Sequence, residues 1–181
     1  MSPHLYTLAC AAALFCTTAA NAALKVGDAA PGFTTTAAVA GKAFDFDMAA
    51  ALRQGPVVLY FFPKAFTQGC TLEAHAFAEA TPRFAAMGAR VVGMSHDDID
   101  TLKRFSSEAC RGQFAVASDP LARTIKAYDA AAAANPRQAD RISYVIGQDG
   151  KVRFAHVGSD PLEHVRQTEA AVRQLQQGAG R

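Results

Sequence analysis

The strongest feature of the hydrophobic pattern is an unbroken apolar run, Val57-Val58-Leu59-Tyr60-Phe61-Phe62, rich in β-branched and aromatic side chains and too short for a helix. Such a run reads as a strand buried on both faces. Pro63 ends it, because proline has no N–H to give to a ladder. The period then changes: Leu72, Ala76, Phe77, Ala80 and Phe84 recur at helical spacing, which predicts a helix from about Thr71 to Ala86.

The same reading places the other elements. Phe33 to Phe46 reads as short strands or a hairpin turning at Gly41, and a short helix over Met48 to Arg53 leads through Gly55-Pro56 into the central strand. Gly88 ends the long helix, and Arg90 to Met94 makes a second buried strand. Ile99 to Cys110 reads as a helix capped by the Asp97-Asp98 pair. Phe114 to Ala117 follows as a strand, Pro120 to Tyr128 as a helix, and Ala130 to Asp140 as a loop. Arg141 to Ile146 and Lys151 to Val157 are strands joined at the Asp149-Gly150 turn signal. Pro161 to Gln177 closes the chain as an amphipathic helix, with Leu162, Val165, Val172 and Leu175 among its apolar positions. Alternating strands and helices ending in a hairpin and a helix predict an α/β fold, a mixed central β-sheet flanked by helices.

Composition narrows the partners. Among 181 residues, 18 basic and 16 acidic side chains leave a net charge of +2, which argues against nucleic acid or an anionic membrane as the main partner. The first 22 residues contain no Asp, Glu, Lys or Arg, carry an apolar core from Leu5 to Phe15, and end in Ala20-Asn21-Ala22. This reads as a secretory signal peptide cut after Ala22, too short in its apolar part to span a membrane, with residues 23–181 as the mature domain in the periplasm or outside the cell. Cys10 and Cys16 leave with it, so the mature chain keeps Cys70 and Cys110, and an oxidising compartment makes a disulfide between them the natural expectation.

Cys70 falls at or beside the first turn of the helix after the central strand. Backbone N–H groups there have no intrahelical partner, and the helix dipole favours thiolate, the nucleophilic form. Position alone leaves a buried, inert cysteine equally open. Pro63, Thr67 and Cys70 form Pro-x-x-x-Thr-x-x-Cys, which resembles the active-site signature of the peroxiredoxins. The longer match, Pro63-Lys64, Thr67, Gly69-Cys70-Thr71 and Glu73, is similar to their bacterioferritin-comigratory or Q-type branch. Val26-Gly27-Asp28-Ala29-Ala30-Pro31-Gly32-Phe33 resembles the family's opening segment, with Gly32 where an acidic residue is frequent.

The resemblance implies a thioredoxin-like fold with the peroxiredoxin N-terminal extension, and a thiol peroxidase without cofactor or metal. Cys70 attacks the hydroperoxide and becomes a sulfenic acid, Thr67 and the loop N–H groups orient the O–O bond, and Pro63 shields the sulfur. Arg141, in Arg141-Ile142-Ser143-Tyr144-Val145-Ile146, matches the family's arginine beside the reactive cysteine, where its charge favours the thiolate. Taken without the resemblance, Arg141 is an ordinary surface charge. Glu73 stands where the family has a glutamate within the site's network; a solvated first-turn glutamate is the alternative.

One subgroup carries a second cysteine five residues after the first, and His75 occupies that position here. Another carries its resolving cysteine in the following helix, which implies that Cys110 closes an intramolecular disulfide with Cys70 after local unwinding. A thioredoxin-like dithiol then reopens it. A one-cysteine mechanism with Cys110 as a free thiol is the alternative. The resemblance also implies a monomer, and it leaves the choice between hydrogen peroxide and organic hydroperoxides open. Two other classes compete. A thiol-disulfide oxidoreductase on the same fold needs Cys-x-x-Cys, but Thr67 stands where its first cysteine belongs. A non-enzymatic binding module leaves Thr67, Cys70 and Arg141 without a common purpose. Ser95-His96-Asp97 reads as a strand-to-helix loop, and His156 and His164 show no metal-ligand spacing to either mature cysteine.

Overall fold

The computed structural model describes residues 23–179. The N-terminal apolar segment, its cleavage point after Ala22, Cys10 and Cys16 lie outside the described residues. The chain runs β1 (Thr34–Val39), β2 (Lys42–Asp47), α1 (Met48–Gln54), β3 (Val57–Phe61), α2 (Gln68–Ala86), β4 (Arg90–Ser95), α3 (Ile99–Glu108) and β5 (Ala115–Ser118). It continues with α4 (Arg123–Ala127), β6 (Ala131–Ala132), β7 (Asn135–Ala139), β8 (Ile142–Ile146), β9 (Val152–Val157) and α5 (Pro161–Ala179).

Seven strands form one sheet in the order β2-β1-β5-β4-β3-β8-β9. β3 pairs in parallel with β4, and β4 with β5, through the helical crossovers α2 and α3. The remaining pairings are antiparallel, including β3 with β8, where Phe61 faces Ile142. This is the mixed sheet flanked by helices that the alternating pattern predicts. Every residue of β3 is buried, as the continuous apolar run requires of a strand covered on both faces. Its side chains alternate between two cores. Val58, Tyr60 and Phe62 face α2, α3 and α5, in a cluster that also holds Cys70 and Cys110. Val57, Leu59 and Phe61 face α1 and α4 on the other side.

Several boundaries differ from the sequence-based expectation. Helix α2 begins at Gln68, ahead of the first apolar repeat, because Thr67 is its N-cap and its carbonyl accepts the Thr71 N–H at 2.9 Å. The segment Ala130 to Asp140 is a loop only in part, since β6 and β7 pair across it as a two-stranded ribbon. Pro136 within β7 and the alanine run ahead of it hide this ribbon from a hydrophobicity pattern. Helix α4 covers only Arg123–Ala127 of the expected Pro120 to Tyr128. Helix α3 stops at Glu108, so Cys110 lies in the following turn, with its N–H bonded to Phe105 O at 3.0 Å. Among the described residues, no helix is long and apolar enough to cross a membrane.

Candidate active site

The site forms where β3 hands the chain to α2. Phe62 still donates its N–H to Met94 O at 3.0 Å, and Pro63 then turns the chain off the sheet. The loop is tied down by Asp97, which the sequence pattern pairs with Asp98 as the cap of α3; Asp98 alone is that cap, accepting from Thr101 N at 2.7 Å. Asp97 Oδ2 accepts from Ala65 N at 2.8 Å and from Ser95 Oγ at 2.8 Å. Ser118 Oγ in turn donates to Asp97 O at 2.7 Å, so the ends of β4 and β5 hold the loop through one aspartate. Phe66 adopts a left-handed φ of 64°, a conformation that costs roughly 1–2 kcal/mol for a residue with a Cβ. Its ring packs edge-on to Phe105 at 5.2 Å and under the Arg104 guanidinium, which offsets that strain. The Thr67 hydroxyl makes no helix-cap bond; it donates to Lys64 O at 3.0 Å and leaves its oxygen free to accept.

Cys70 therefore sits in the first turn of α2, 2% exposed. Arg141, immediately before β8, reaches it because β8 pairs antiparallel to β3 and brings its N-terminal end level with Phe61. Arg141 Nη2 donates to Cys70 Sγ at 3.5 Å, and Nη1 donates to Glu73 Oε2. Gly69 permits this approach, since a Cβ there would lie 3.2 Å from Nη2. Glu73 follows Cys70 by one turn on the same side of α2, and it is fully buried where a dipole-favoured surface glutamate would be solvated. The Arg141 side chain is 11% exposed, far from an ordinary surface charge. The structure thus brings Cys70, Glu73 and Arg141 into one bonded group.

Electrostatics act in opposite senses on the glutamate and the arginine. Burial pushes the Glu73 carboxyl from 4.5 up to about 8, with Arg141 pulling against it. Among the described residues Oε1 has no partner, which makes the ionised form costlier still. Arg141 keeps its proton: burial works against the charge, but Glu73 and Cys70 outweigh it and hold the group above its ordinary value. Burial thus biases the carboxyl toward its neutral form, while the guanidinium faces both Glu73 Oε2 and the Cys70 sulfur.

This raised carboxyl has a consequence for stability with a definite sign. The unfolded chain loses this proton near 4.5 and the folded chain near 8. The stabilisation is complete below the first value and disappears as pH rises through the second. Glu73→Gln keeps an acceptor for Arg141 and removes the titration. Urea midpoints of the parent are expected to fall across this window relative to those of Glu73→Gln, and parallel curves would contradict the assignment.

Other predicted residues are distributed around this group. Pro63 is half-buried and lines an opening with Asp140, Arg141, Val157, Gly158 and Ser159. His75 is a half-buried residue of α2. Cys110 is fully buried in the same core cluster as Cys70, and burial pushes its thiol well up. Both thiols are free. His164, unremarkable in sequence because its position fits the amphipathic pattern of α5, is fully buried behind Arg141. Its Nε2 lies 2.9 Å from Gly158 O, which can only accept, so Nε2 carries the proton and Nδ1 accepts from Ser143 Oγ at 2.8 Å. Gly158 N donates to Arg141 O, completing a chain that braces the arginine from the rear.

Comparison with known proteins bears on this arrangement. The model of the AhpC/TSA family matches residues 26–155. The chain belongs to the AhpC/TSA family. Among relatives in this family, the chloroplastic peroxiredoxin Q of Oryza sativa subsp. japonica is 31% identical over 143 residues, covering 78% of this chain and 64% of that protein. The chloroplastic peroxiredoxin Q of Populus jackii is 33% identical over 114 residues, covering 62% of this chain and 53% of that protein. The matched stretch thus spans less than two thirds of the length of these curated relatives. Among solved structures, peroxidoxin BcpB from Mycobacterium tuberculosis superposes with a TM-score of 0.75 at 27% identity, covering 83% of this chain and 97% of that one. Mycobacterium tuberculosis AhpC, at 20% identity, shares the fold with a TM-score of 0.76. The fold of this AhpC/TSA member is therefore the thioredoxin-like fold of the peroxiredoxins.

Proposed function

We propose that the protein is a thiol peroxidase that reduces hydroperoxides through Cys70, resolves the product with Cys110, and is recycled by a thioredoxin-like dithiol. The observation that carries this reading is the Arg141 guanidinium at 3.5 Å from a sulfur in the first turn of α2. A fixed cation and unpaired helix N–H groups both lie where negative charge is carried in the reaction, on the attacking sulfur and on the oxygen that departs as the O–O bond breaks. Thr67, its proton given to Lys64 O, offers an acceptor to the peroxide O–H. The thiolate attacks the terminal oxygen, an S–O bond forms as O–O breaks, and the departing alkoxide or hydroxide takes a proton. Cys70 is oxidised to sulfenic acid and the peroxide is reduced to alcohol or water.

In the second step the Cys110 sulfur attacks Cys70 Sγ, the S–O bond breaks, and hydroxide leaves with the proton that Cys110 released, as water. The disulfide is then reduced by thiol exchange with the external dithiol. The relatives named peroxiredoxin Q and the Pro63-to-Glu73 signature support the peroxide-reducing step, and the burial of Cys110 in the same core cluster as Cys70 supports the resolving one. Export after cleavage at Ala22 is part of the same proposal and rests on the apolar, uncharged N-terminal segment.

Mass spectrometry tests the reading on protein recovered from expressing cells, fully reduced and then given stoichiometric hydrogen peroxide. Loss of two hydrogens, mapped to a Cys70–Cys110 peptide and absent from Cys110→Ser, is the expected result. The intact mass is expected to correspond to a chain starting at Ala23. One oxygen retained on Cys70 of the parent would instead establish a one-cysteine enzyme.

A further inference from the structure

Tyr60 is the group in the site-facing core that packing alone does not explain. Its ring stacks on Phe77 at 4.4 Å, tilts against Phe62 at 5.5 Å and meets Phe114 edge-on at 5.9 Å. A phenylalanine would make each of these contacts. The hydroxyl is fully buried, and among the described residues nothing donates to it or accepts from it. A buried hydroxyl without a partner is a net cost to the fold, so its retention calls for another use.

Its position suggests that use. Gly93, the register partner of Tyr60 on β4, makes room for the hydroxyl; a Cβ there would lie 2.8 Å from the oxygen. The ring therefore leans across β4 toward the turn between α3 and β5, which holds Cys110 and Phe114. Burial is the main cause that keeps the hydroxyl protonated, and the ionisable neighbours that add to it are Cys110, Glu73 and Cys70, with Arg141 opposing them. A protonated phenol keeps its O–H to donate, and its oxygen can accept as well. Cys110, fully buried in the same cluster, needs a donor before its sulfur can carry charge.

We propose that Tyr60 is the positioning residue of the second sulfur: its hydroxyl donates a hydrogen bond to Cys110 as that sulfur releases its proton and attacks Cys70. This rests on the two-cysteine reading above. Tyr60 takes no part in the first step, and its hydroxyl acquires its partner only during the second.

Rapid mixing of reduced parent and Tyr60→Phe with stoichiometric hydrogen peroxide, over a series of pH values, separates the steps. Oxidation of Cys70 is expected at the same rate in both. Closure of the Cys70–Cys110 disulfide is expected to be about tenfold slower in Tyr60→Phe, the size of one hydrogen bond to a charged sulfur, with its pH midpoint moved upward. The reduced variant is expected to match or exceed the parent's urea midpoint, because an unpartnered hydroxyl has been removed. Closure at the parental rate, or slower closure with an unmoved pH midpoint, overturns the proposal and leaves the two-cysteine reading standing. Absence of the disulfide in the parent overturns both.

Discussion

Cys70→Ser is expected to reduce peroxidase activity by roughly four orders of magnitude or more, to the uncatalysed background, as removal of a catalytic nucleophile does elsewhere. The serine hydroxyl remains protonated at neutral pH and cannot form a sulfenic acid, so neither step of the proposed cycle has a starting point. The fold is expected to survive. Cys70 is nearly isosteric with serine, and Arg141 Nη2, which donates to the sulfur at 3.5 Å, can donate to the new oxygen. The stability loss is then about 1 kcal/mol, the worth of a typical hydrogen bond exchanged within a core. Peroxide consumption measured beside a urea melt separates the two effects. A variant that retains appreciable turnover would place the chemistry at another residue.

Arg141→Met is expected to lower kcat/KM for hydrogen peroxide by about 10²- to 10³-fold, comparable with loss of one preorganised donor to a developing anion. Two costs compete in this variant, and their magnitudes decide what is measured. Stranding an ionised Glu73 in the core would cost about 3–5 kcal/mol. Burial already holds that carboxyl near 8, and losing the guanidinium pushes it further up, so it stays protonated at neutral pH. The structural loss is therefore nearer the ~1–3 kcal/mol of an unmet hydrogen bond, within the 5–15 kcal/mol stability of an ordinary domain. The protein stays folded and the loss of rate is chemical. Arg141→Lys restores the charge but cannot span Sγ and Glu73 Oε2 with two separate nitrogens, so only partial recovery is expected. A Met variant within threefold of the parent would remove Arg141 from the mechanism.

The fold was legible wherever local chemistry specifies it. The run from Val57 to Phe62 can be little other than a doubly covered strand, and Gly41 and Asp149-Gly150 mark their turns through backbone preference. The ribbon of β6 and β7 was not legible, because Ala131, Ala132 and Pro136 carry almost no strand signal, although Ala131 and Ala139 pair with each other and are buried in the core. The start of α2 was displaced for a related reason: Gln68 and Gly69 add nothing to an apolar period. At the site, the spacing of Pro63, Thr67 and Cys70 is local and visible. The burial of Glu73 and the bracing by Asp97 and His164 arise from pairings across the sheet, between residues distant in the chain. A side chain such as Tyr60 shows no anomaly in sequence; only the packed core reveals that its hydroxyl lacks a partner.

The alternation of β3 has a practical meaning for anyone redesigning this protein. One strand supplies Val58, Tyr60 and Phe62 to the layer that contains both thiols, and Val57, Leu59 and Phe61 to a layer that contains neither. Volume-conserving exchanges in the second layer change a core at a cost usually below about 1.5 kcal/mol. The sheet stands between them and the sulfurs. Thermal tolerance can accordingly be engineered on the α1 and α4 side while redox behaviour is tuned on the other, with the backbone of β3 as the partition.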